Sequence, residues 1–167
     1  RDEIRLFQAR HLYQNGRTKA ALEFIENTCL DRESFAYLDD IYNLKGDILL
    51  DADSTQDAVQ AFAMVSRDAH RPFAYSLNRR LACFRQDHRP ASALKLLNDL
   101  LSDPRYPIHN TSLILSFEEH IPWIVRKSPN EIKRLHNRVK SIAMNVMENK
   151  SYPYWMSWQE ILRELMP

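Results

Sequence analysis

Glycine is almost absent from this chain: 2 residues of 167, against 8 prolines. Strands need tight turns between them, and such turns recruit Gly. The scarcity therefore disfavours a sheet architecture, while abundant Leu, Ala, Arg, Lys, Glu and Gln point to an all-α chain. Two isolated glycines, Gly16 and Gly46, cannot build a glycine-rich phosphate loop. Long apolar runs are missing too. None approaches the roughly 18 residues that would span a bilayer, and no secretory signal opens the sequence. The chain begins with Arg1 rather than Met and is expected to be part of a larger regulatory protein. There are 2 cysteines, Cys29 and Cys83, with no C-x-x-C pair. They are expected as reduced core side chains of a cytoplasmic protein. Because the number is even, a disulfide in a secreted chain stays open.

What is present includes Asp47, Asp51, Asp53 and Asp57 within the stretch GDILLDADSTQDAVQAF. A calcium loop spaces oxygen ligands at alternate positions, needs Gly for its sharp turn and closes on a bidentate Glu. Asp51, Asp53 and Thr55 fit the early places, but Gln56 stands where Gly is needed and Phe62 where Glu is needed. The stretch is better explained as helix, polar turn, helix. The first helix starts near Phe35, Asp51 to Thr55 form the turn, and Ser54 or Thr55 caps the second.

Net charge is +1, unevenly distributed. Residues 1–60 carry 7 Lys+Arg against 12 Asp+Glu, a net of −5, and residues 61–167 carry 16 against 10, a net of +6. Such polarity orients a partner or supports head-to-tail self-association.

Three segments share one grammar: HLYQNGRTKAALEFI, DILLDADSTQDAVQAF and ACFRQDHRPASALKLL. Aligned on Ala21, Ala58 and Ala93, they recur at spacings of 37 and 35 residues. Ile25, Phe62 and Leu97 follow each alanine by four positions, and Leu12, Leu49 and Phe84 precede it by nine. Three residues earlier still stand Ala9, Gly46 and Leu81, where a small residue lets two helices approach closely. Pro72 and Pro104 punctuate the exits of the second and third units. This pattern, over about residues 3–106, resembles the tetratricopeptide repeat. It departs from that family in Leu81 and in second and third turns without Gly. A bundle of similarly spaced amphipathic helices is the alternative. The resemblance implies a right-handed superhelical array of antiparallel helix pairs, an α-solenoid whose first helices line a concave groove.

Residues 107–167 depart from the repeat and are expected to form C-terminal capping helices packed on it. Pro122 interrupts an apolar helix. Ser128, Pro129 and Glu131 then give a helix start with a capping box, and Ile132, Leu135, Val139, Ile142 and Val146 follow on one face. Trp123, Trp155 and Trp158 are expected to pack the cover.

No motif carries catalysis. H-E-x-x-H is absent, and His11, His70, His88, His109, His120 and His136 have no ligand-like spacing. Neither an enzyme, a cofactor nor a metal site is expected. Two arginine and lysine groups, Lys133/Arg134/Arg138/Lys140 and Arg79/Arg80/Arg85/Arg89, are interspersed with acids and fit solvated helix faces rather than a nucleic-acid interface. The expected function is a non-enzymatic protein-interaction scaffold that holds a partner's peptide or helix. In the repeat alignment its groove takes in Arg10, Tyr13, Asn43, Asp47, Asp51, Tyr75, Asn78, Arg79 and Arg85. Asp47 and Asp51 would mark one end and Arg79 and Arg85 the other. Leu6 and Leu44 stand where the family's clamp for chaperone tails wants polar donors, so such a tail is not expected. Two other classes fit the same features: a ligand-sensing or self-association domain of a bacterial transcription factor, and a secretion chaperone of this repeat type.

Overall fold

The computed structural model describes residues 1–30 and 34–102, together with His120, Trp123 and Ile124. Six α-helices are present among these residues, with no strand: α1 (Asp2–Gln14), α2 (Thr18–Ile25), α3 (Leu38–Asp51), α4 (Thr55–Ala63), α5 (His70–Gln86) and α6 (Pro90–Ser102). A five-residue π-helical turn, Glu26–Leu30, extends α2. The all-α expectation holds for what is described. Helix α3 starts at Leu38, a turn later than expected near Phe35. Pro72 does not end a unit; it lies in the first turn of α5, where its missing N–H costs no helical bond. Pro90 opens α6 for the same reason.

The chain divides into two compact units, residues 1–83 and 84–167. In the first, α1 packs on α2 and α3 on α4. One apolar cluster joins Leu6, Ala9, Ala21, Ile25, Cys29, Phe35, Ile41, Leu44 and Ile48. A second gathers Ala58, Phe62 and Cys83, with Leu49, Leu50 and Val59 against it. Ala21, Ala58 and Ala93 are all fully buried. Gly46 has the close approach foreseen for its position: a β-carbon there would meet the Phe62 ring at 2.5 Å. Of the second unit, α6 buries Ala93, Leu94, Leu96, Leu97 and Leu100, and Trp123 and Ile124 are buried as well. Trp155, Trp158 and the helix expected after Ser128 lie outside the described residues.

The turns repeat more closely than the sequence does. Gly16 donates its N–H to the Tyr13 carbonyl and Arg17 donates to Leu12. Asp53 donates to Leu50 and Ser54 to Leu49; His88 donates to Arg85 and Arg89 to Phe84. Each pair is a Schellman motif, which satisfies the last carbonyls of a helix through one left-handed residue. Those residues are Gly16 at φ 73°, Asp53 at φ 58° and His88 at φ 54°. Each stands five positions before its aligned alanine. Asp and His tolerate the left-handed region better than most side chains, which is how two turns manage without Gly. Ser54 occupies the cap position of α4, but its side chain makes no capping bond.

Candidate functional site

An open cleft of about 460 Å³ lies within the first unit, lined by Arg10 of α1, by Asp40, Asn43, Leu44 and Asp47 of α3, and by Arg71, Pro72 and Tyr75 of α5. The four α3 residues recur at helical spacing, so α3 turns one face to the cleft. The first, third and fifth helices thus contribute to one surface. A second cleft, of about 380 Å³, is lined by α3, α4 and neighbouring residues, including Tyr42, Lys45, Gln60 and Met64.

Cross-helix polar bonds tie the first surface together. Tyr75 donates its hydroxyl to both Asp47 oxygens, at 2.9 and 2.8 Å. Arg79 Nε donates to Asp47 Oδ1 at 3.0 Å, and its guanidinium lies 5.9 Å from the centre of the Tyr75 ring. Tyr13 donates to Asp51 Oδ2. Arg10 stands 3.6 Å from Asp40, a loose pair with both side chains well exposed. Asn43 donates from Nδ2 to the Pro72 carbonyl at 2.8 Å, while its Oδ1 is screened from solvent and has no donor.

These contacts set the titration of the groups. Burial pushes the Asp47 carboxyl above its ordinary value, outweighing the stabilising bonds from Tyr75 and Arg79. Tyr13 is pushed up to about 12, chiefly by its bond to Asp51, and Tyr75 to about 12, chiefly by burial and then by Asp47. The phenols are therefore locked as donors across the neutral range. Cys29 and Cys83 are buried and form no disulfide, and burial pushes the Cys29 thiol up, which keeps it protonated.

Of the residues expected at the groove, Arg10, Asn43, Asp47 and Tyr75 line the cleft. Tyr13, Asp51 and Arg79 belong to the bond network beside it. Asn78 lies on α5 without lining the cleft, and Arg85 is exposed in the second unit. The expected separation of charge needs correction: Arg79 does not oppose Asp47 from a far end but pairs with it directly. Asp40, Arg71 and Pro72 were missed, while Leu44, placed by the sequence at a clamp position, does line the cleft. Asp40 was legible, because it precedes Asn43 and Asp47 by three and seven positions on one helical face. Arg71 and Pro72 come to α3 only through tertiary folding. Among the described residues no helix is long and apolar enough to cross a membrane, and no three His, Cys, Asp or Glu residues gather as a metal site. Comparisons with family models, curated proteins and solved structures returned no match.

Proposed function

We propose that this chain is a tetratricopeptide-like interaction module that holds an extended segment of a partner protein in the cleft shared by α1, α3 and α5. The observation that carries this is the joint surface itself. Helices far apart in sequence present polar side chains and the exposed ring of Tyr75 to one open channel. The three turns in common register support a repeat, and in a repeat array the first helix of each unit faces the concave side. A rigid aromatic beside donors and acceptors is the composition from which recognition surfaces draw their anchors.

A displayed random-peptide library, panned on the immobilised full chain, tests this. Enriched peptides should bind the wild type and lose affinity to Tyr75→Ala, by about 2 kcal/mol for an anchoring aromatic. Gln60→Ala in the second cleft should leave binding unchanged. No enrichment, or binding that depends on Gln60 and ignores Tyr75, would overturn the assignment.

A further inference from the structure

Most charges of the cleft already have partners. Asp47 is bonded by Tyr75 and Arg79, and Asp40 is paired with Arg10. Asp51 is held by Tyr13 and stands outside the lining, eight residues from Asn43, or about 12 Å along the helix. Arg71 remains. It lines the cleft, is exposed, and has no carboxylate partner among the described residues. Arg10 adds a second cation whose 3.6 Å pair is weak, because both side chains are solvated.

We infer that the occupant is an extended acidic peptide segment, its carboxylates on Arg71 and Arg10. This rests on the cleft being a binding surface, and it names the ligand class. A basic segment is disfavoured: Asp47 is engaged by Tyr75 and Arg79, and the segment's own charge would face Arg71. Leu44, Pro72 and the Tyr75 ring supply apolar contact for the intervening side chains. A small free carboxylate could reach the arginines but not use this apolar lining. The bidentate geometry of guanidinium and carboxylate adds orientation to the charge.

The test uses three synthetic octapeptide pools with the same Leu and Pro anchors. Their variable positions are filled with Asp/Glu, with Lys/Arg, or with Ser/Gln. Binding to the full chain is followed by fluorescence anisotropy at two salt concentrations, with free glutamate as competitor. The acidic pool should bind best and weaken with salt. Arg71→Glu should weaken it about tenfold or more and Arg10→Glu less, with helical content retained. Replacing the Leu and Pro anchors of the best acidic peptide by Ser should weaken binding, and free glutamate should not compete. Equal or better binding of the basic or neutral pool overturns the acidic assignment while leaving a peptide cleft in place. Competition by free glutamate at peptide-like concentrations replaces the peptide with a small carboxylate. Binding of no pool overturns both the ligand class and the cleft.

Discussion

The Phe62 ring lies directly over the α-carbon of Gly46, so that a β-carbon there would come within 2.5 Å of the ring. Phe62 is fully buried and has no room to withdraw. Gly46→Ala gains about 1 kcal/mol of helix propensity but forces the ring out of its place at about 1–3 kcal/mol. The substitution should therefore lower stability in chemical denaturation, against the usual effect of Gly→Ala in a helix. Shortening the ring in Gly46→Ala/Phe62→Leu should recover part of that loss, so the two changes should not add. Equal or raised stability of Gly46→Ala would refute the close approach of α3 and α4.

The left-handed turn residues give an independent measure. Asp53 and His88 adopt positive φ with a β-carbon present, at about 1–2 kcal/mol each. Asp53→Gly and His88→Gly should each raise the denaturation midpoint, and Gly16→Ala should lower it. Nothing lies within 4 Å of a β-carbon placed on Gly16, so its penalty is purely conformational. Destabilisation by Asp53→Gly would show that the Asp side chain contributes more than its backbone strain costs.

These positions also show what the sequence made legible. The alignment on Ala21, Ala58 and Ala93 found three helix ends and three buried alanines, because both are marked by short spacings along the chain. The left-handed role of Asp53 and His88 was hidden, because only spacing, not residue type, betrays it. The cleft was half legible. Helical spacing placed Asn43 and Asp47 on one face, but which carboxylate keeps a free charge depends on Tyr13, Tyr75 and Arg79. Tyr13 reaches an aspartate 38 residues away and Tyr75 one 28 away, and no local pattern encodes such pairs.

The tyrosines should titrate late. In an alkaline titration followed by phenolate absorbance, Tyr13 and Tyr75 should ionise near 12 rather than the ordinary 10.0. Both hold their protons more tightly folded than unfolded. Their share of stability is thus complete below pH 10 and is lost as pH rises towards 12. Asp51→Asn should bring Tyr13 down markedly, since its hydrogen bond is the largest cause. Asp47→Asn should bring Tyr75 down less, because burial remains. Unchanged Tyr13 ionisation in Asp51→Asn would remove the proposed bond.

Asp47 has the same sign at acid pH. Its folded value is raised above 3.8, so stability falls as pH rises from that value through the raised one, where a buried carboxyl must lose its proton. Compared with wild type, Asp47→Asn should flatten that part of the stability–pH curve. If the curve instead rises more gently in the variant, pairing with Arg79 dominates over burial.

Chemical-shift mapping of the isotope-labelled full chain, titrated with a library-selected peptide, tests the binding surface most directly. The largest changes should fall on Arg10, Asn43, Arg71 and Tyr75. Changes gathered instead on Tyr42, Lys45, Gln60 and Met64, with the Asn43 amide unmoved, would contradict the assignment and transfer binding to the second cleft.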